Sequence, residues 1–209
     1  MSVICPTVTA EDSHLYRQQL ERVQKLAGRI HLDFMDGLFT SNKSIDLARA
    51  WMPEGKQVDL HLMYMRPDLY VEKIKEFAPS LVIVHAEAKG EYEPFAKSMH
   101  DAGIKVGVCL LQDTPVSIIA DHLDRIDHVL IFSGDMGHFG GKVDLSLLSK
   151  VKELKRLKPG LEIGWDGGVS DKNVQDLVAG GVDVLNVGGF IQRAEDPRQN
   201  YETLVSKVS

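Results

Sequence analysis

The sequence predicts an α/β protein and, within that class, a (β/α)8 TIM barrel, on three observations. Eight short, apolar, β-rich runs recur along the chain, segments of helical spacing lie between them, and no glycine-rich turn follows the first run. Strand alternating with helix implies parallel β-structure with crossover helices. Eight such units at roughly 25 residues each match a minimal closed barrel, whereas an open doubly wound sheet usually has fewer strands and a glycine-rich first turn. A chain of 209 residues can build one full hydrophobic core, and no linker, low-complexity stretch or charge block divides it. Residues 1–209 are therefore read as one domain.

The first run is Val3–Cys5, followed by Pro6-Thr7-Val8. Thr9, ahead of Glu11-Asp12, is read as the start signal of a helix whose apolar stripe is Leu15, Leu20, Val23 and Leu26. The second and third strands are Ile30–Phe34 and Val58–Leu62, and the stripe Leu69, Val71, Ile74, Phe77 leads to the fourth, Leu81–Val84. Val106–Leu110 and His128–Phe132 are the fifth and sixth. The clearest helical stripe, Leu147, Leu148, Val151, Leu154 and Leu157, precedes the seventh strand, Leu161–Trp165. Ser170-Asp171 then opens a helical segment closing at Gly180-Gly181, before the eighth strand, Val184–Val187. Several strands are nearly continuous apolar runs, as parallel strands covered on both faces require.

Apolar residues make up 44% of the chain and charged residues 26%, a globular composition with no run long enough to span a membrane. A formal charge of −6 disfavours nucleic acid or an anionic membrane as the main partner, although a small anion can still bind locally. Two cysteines, Cys5 and Cys109, in apolar surroundings suit buried thiols in a reducing compartment, and the first residues show no export signal, so the cytoplasm is the expected location.

In such a barrel, chemistry belongs at the C-terminal ends of the strands. His31 and Asp33 lie two residues apart on the second strand and so share a face. His61 ends the third strand and Asp166 the seventh. These two imidazoles and two carboxylates form a donor set suited to one divalent ion, zinc, iron, manganese or cobalt. Gly140-Gly141, Gly167-Gly168 and Gly188-Gly189 follow the sixth, seventh and eighth strands. Glycines let backbone N–H groups approach an oxyanion, and barrels commonly hold a phosphate at the last two loops.

Read together, His31-Leu-Asp33-Phe-Met35-Asp36-Gly37, Asp59-Leu-His61-Leu-Met63, Val84-His85-Ala-Glu87, Thr114-Pro115, Asp166-Gly-Gly-Val169 and Val187-Gly188-Gly189 resemble the ribulose-phosphate 3-epimerases from end to end. The resemblance implies that His31, Asp33, His61 and Asp166 bind the metal, and that Asp33 and Asp166 carry the proton. It places Thr7, Met35, Met63 and the six glycines around a phosphorylated ketose, and it implies a homo-oligomer. The chemistry would be inversion at carbon 3 through a metal-stabilised enediolate, with ribulose 5-phosphate as the default substrate and a hexulose phosphate such as allulose 6-phosphate as the alternative. A phosphosugar sensor without turnover is a further reading, disfavoured because binding alone needs no opposed carboxylates. Decarboxylases and synthases of related barrels use an Asp-x-Lys-x-x-Asp pattern, whereas Asp33 is followed by Phe34-Met35. Departures from the family pattern are Thr7 and Gly189 in place of serines, Leu38–Asn42, and the sixth loop, Phe132–Lys142.

Overall fold

A computed structural model describes residues 2–137 and 141–208. Eight parallel strands close in chain order: β1 (Val3–Thr9), β2 (Arg29–Met35), β3 (Gln57–Met63), β4 (Leu81–His85), β5 (Lys105–Leu110), β6 (His128–Phe132), β7 (Glu162–Asp166) and β8 (Val184–Val187). The first half of β1, Val3–Pro6, pairs with β8, and its second half, Thr7–Thr9, with β2. It therefore runs past the expected end at Cys5. The α-helices are α1 (Ser13–Val23), α2 (Val71–Phe77), α3 (Tyr92–Asp101), α4 (Leu148–Leu157), α5 (Val174–Ala179), the short α6 (Gly189–Gln192) and α7 (Pro197–Val208).

The expected eightfold alternation fails at two crossovers. β2 reaches β3 through a single 3₁₀ turn, Leu47–Arg49, and β5 reaches β6 through two, Val116–Ile118 and Ala120–Arg125. Proline at 53 in the first and consecutive β-branched Ile118-Ile119 behind Pro115 in the second disfavour a continuous α-helix. Two start signals also move. Thr9 is strand, and Asp12 caps α1 instead, its Oδ1 accepting the N–H groups of His14 and Leu15, both at 2.8 Å. Ser170-Asp171 opens only a turn, closed by the Ser170 N–H donating to Asn173 Oδ1 at 2.9 Å, and α5 begins at Val174.

The strand period of two sorts side chains to two cores. Ile30, Leu32 and Phe34 of β2 pack outward against the helices, with Tyr16, Leu20 and Val23 of α1 in the same cluster. Inside the barrel a smaller apolar plug of Leu81, Ile83, Cys109, Leu130 and Phe132 fills the β4–β6 side. Both cysteines are buried and unpaired. Below the mouth, Arg29 donates from Nε to Asp59 Oδ2 (2.7 Å) and from both terminal nitrogens to Glu162 (2.9 and 2.8 Å). Glu162 also meets His128 Nδ1 at 2.7 Å. Asp59, inward-facing like His61, thus belongs to an ionic floor, not to the mouth. Among the described residues no helix is long and apolar enough to cross a membrane.

Candidate active site

Two neighbouring strands, β2 and β3, deliver three of the four predicted donors in register. His31 stands opposite Asp59 and Asp33 opposite His61 in the β2–β3 ladder, while Thr9 pairs with Asp33 from β1. All of these side chains point inward by the same alternation. Asp33 Oδ1 lies 3.1 Å from His31 Nε2 and 2.9 Å from His61 Nδ1, and its Oδ2 accepts from Thr9 Oγ1 at 2.6 Å. Asp166 arrives from β7, across the barrel, with Oδ2 4.0 Å from His31 Nε2. One donor atom from each of His31, Asp33, His61 and Asp166 lies within 4.8 Å of the others.

Burial and charge divide the two carboxylates. Burial would raise the Asp33 pKa, but the charge and hydrogen bonding of the His31 and His61 rings outweigh it and hold the group well below the usual carboxylate range. Asp166 is pushed up to about 7, by burial first and then by the negative charge of Asp33. Burial pushes His61 down to about 4, against the pull of Asp33, so its ring is neutral and offers a lone pair. At His31 burial works the same way, but Asp33 outweighs it and the pKa rises. One ionised carboxylate, a second near neutrality and two imidazoles converging on one carboxylate oxygen are a donor set that fits a divalent cation.

His61 is held from behind. Its Nε2 lies 3.0 Å from His85 Nε2, and His85 Nδ1 lies 3.6 Å from Glu87 Oε2, whose other oxygen accepts from Thr114 Oγ1. The Val84-His85-Ala-Glu87 and Thr114-Pro115 segments therefore meet at this point, and the contact orients the His61 ring.

The donors open onto a cavity of about 260 Å³. Of the predicted residues, Thr7, Asp33, Met63, Asp166 and the glycines at 141, 167, 168, 188 and 189 line it. His31 and His61 lie fully buried beneath. Met35 is buried at the β2 end, its Sδ 3.2 Å from where a side-chain carbon on Gly137 would fall, so it sits under the sixth loop. Gly140 lies outside the described residues. Thr9, Asn186 and Arg193 also line the cavity and were not anticipated. The signal for the first two was available: Thr9 is two residues beyond Thr7, and Asn186 is two before Gly188, each on the same inward face.

The mouth loops are stitched together. Ser133 N–H donates to Asp166 O at 2.7 Å, its Oγ accepts from Asp144 N–H at 2.8 Å, and Trp165 Nε1 donates to Gly167 O at 3.3 Å. Asn42 Nδ2 donates to Gly137 O at 3.0 Å, so the two segments that depart from the family pattern, Leu38–Asn42 and the sixth loop, touch each other. Gly167 holds φ +107°, and a Cβ there would fall against Gly134, 2.5 Å from its Cα and closer to its nitrogen. Gly167→Ala is expected to destabilise the protein by about 1–3 kcal/mol through this left-handed strain, read by thermal unfolding; an unchanged melting curve would contradict the contact.

A family model described as the ribulose-phosphate 3 epimerase family matches residues 3–191. A ribulose-phosphate 3-epimerase of Bacillus subtilis is 30% identical over 208 residues, covering 95% of this chain and 96% of that protein. One of Schizosaccharomyces pombe is 28% identical over 212 residues, covering 98% and 93%. Among solved structures, 3-hexulose-6-phosphate synthase from Salmonella typhimurium superposes with a TM-score of 0.75 at 15% identity, covering 100% of this chain and 98% of that one, a likeness of fold alone. The quartet at the mouth and the nearly full-length match point the same way, and the chain belongs to the ribulose-phosphate 3-epimerase family.

Proposed function

We propose that this protein inverts carbon 3 of a ketose phosphate, with ribulose 5-phosphate and xylulose 5-phosphate as the pair it interconverts. The observation that carries this reading is the convergence of carboxylates from β2 and β7, both lining one cavity, with two imidazoles buried beneath it. Inversion requires a proton to leave one face of a carbon and return to the other, and two acids on opposite walls supply the acceptor and the donor. Asp33 takes the carbon-bound proton in one direction while Asp166 delivers one to the opposite face, and their roles exchange in the reverse direction. His31, Asp33, His61 and Asp166 would hold one divalent ion, zinc, iron, manganese or cobalt, which when bound supplies Lewis-acid stabilisation of the negative charge developing next to the ketone.

Asp33 is kept in place by Thr9, and His61 by His85, so neither acid nor ring must reorganise during the reaction. Met63, uncharged and polarizable, walls the reacting face without offering a proton. Backbone groups of Gly167, Gly168, Gly188 and Gly189, which line the same cavity, receive the phosphate.

The test is deuterium wash-in at carbon 3 in D₂O across a panel of pentulose and hexulose phosphates. Incorporation with ribulose 5-phosphate is the expected result; binding without exchange would make the protein a sensor. His61→Ala is expected to lower bound divalent metal at least tenfold in elemental analysis of the purified protein, and undiminished metal content would remove His61 from the ligand set.

A further inference from the structure

We infer that Asn186 is a substrate-binding residue that reads the hydroxyl on the carbon between the reacting centre and the phosphate, an assignment that rests on the function proposed above. Asn186 is 2% exposed, lines the cavity, and has no hydrogen-bond partner for Nδ2 or Oδ1 among the described residues. The other residues of β8, Val184, Leu185 and Val187, are apolar, so packing alone would be served by another aliphatic side chain. A buried carboxamide with both polar ends unpaired is expensive, and a group entering the cavity can complete it. Thr7 Oγ1, on the adjacent strand, is buried and unpartnered in the same way.

Position selects the ligand group. In the barrel ladder Asn186 stands opposite Asp166 on one side and Cys5 on the other, two residues before Gly188 on the same inward face. It stands level with the acid that moves the proton and one strand repeat below Gly188. A pentulose 5-phosphate with carbon 3 at Asp166 and its phosphate at the glycines presents one carbinol between the two, at carbon 4. A hydroxyl both donates and accepts, and so can satisfy the amide nitrogen and oxygen together. A phosphate or carboxylate would engage Nδ2 and leave Oδ1 facing a negative charge. The chemistry of the side chain therefore calls for a neutral hydroxyl at this point.

The experiment compares wild type, Asn186→Leu and Asn186→Ala with ribulose 5-phosphate and its 4-deoxy analogue, by deuterium wash-in at carbon 3, with thermal melting of each protein. Leucine keeps the shape of the amide, and alanine removes it without adding bulk. Wild type is expected to lose about 10- to 100-fold in kcat/KM when the 4-hydroxyl is removed. Both variants should lose a similar factor with ribulose 5-phosphate and no longer distinguish the two sugars, and Asn186→Leu should melt at or above wild type because an unpaired buried amide is gone. Variants that keep the wild-type kcat/KM, or that still discriminate by the wild-type factor, overturn the assignment while leaving the epimerase reading intact. A wild-type protein that exchanges no ketose phosphate overturns that reading itself, and the assignment with it.

Discussion

Asp166→Asn should abolish measurable interconversion of ribulose 5-phosphate and xylulose 5-phosphate, a fall of about 10²- to 10⁴-fold in rate from this acid–base group alone, while the barrel stays folded. Asparagine matches the shape of the side chain but cannot carry the proton. The position tolerates it, because Asp166 ends β7 at the cavity with a side chain 14% exposed and its backbone oxygen still accepts from Ser133. Stability moves the other way. A buried carboxyl raised to about 7 holds its proton more tightly folded than unfolded, so its favourable contribution is present at low pH and is lost as pH rises toward 7. Above that pH the ionised carboxylate works against the fold in the metal-free protein, and the asparagine variant should melt higher there. Epimer interconversion followed by nuclear magnetic resonance, metal content and a melting curve on the same sample separate the roles. Full activity would refute proton transfer by Asp166, and unchanged activity with halved metal would assign it to metal binding only.

Arg29→Leu carries the largest expected effect on stability, about 3–5 kcal/mol, because it strands a buried charge. Arg29 is 8% exposed and Asp59 1%, and Asp59 Oδ1 has no hydrogen-bond partner among the described residues even with the arginine in place. Removing the guanidinium leaves that carboxylate unpaired in the barrel floor. Glu162 adds an acid-sensitive component: burial raises its pKa, but the hydrogen bonds from Arg29 and His128 outweigh it and hold the group below the ordinary carboxylate range. Its contribution is therefore present above the unfolded value and is lost as pH falls through the folded one. The wild type should lose stability in acid more steeply than the variant. Urea unfolding at neutral and acidic pH checks both, and the double variant Arg29→Leu with Asp59→Leu should recover much of the loss. Equal stability of single variant and wild type would show that the floor is not held by this pair.

The strands were legible because each carries a short apolar run bounded by turn residues, and inward polar residues at a spacing of two exposed His31 with Asp33 as partners on one face. The crossovers were less so. The 3₁₀ segments at Leu47–Arg49 and Val116–Arg125 carry apolar residues as a helix would, and only their packing against the barrel settles which turn they adopt. The Thr9 misreading has a similar origin: a threonine before acidic residues is a fair cap, but the hydroxyl finds a stronger partner in Asp33, a neighbour visible only after β1 and β2 pair.

The order of residues along this chain determined the barrel, the chemical types at its mouth and the inward face on which each lies, since strand period and apolar burial are local properties of neighbouring residues. Tertiary structure alone decided that Asp33 and Asp166 have unlike proton affinities, that Arg29 neutralises the floor beneath them, and that the Asn186 amide stands unpaired among the described residues. Those outcomes depend on ladder register and on burial among groups far apart in the chain. A proton affinity in particular is set by which charges stand within a few ångströms and by how much water is excluded, quantities that come into being only on closure of the barrel.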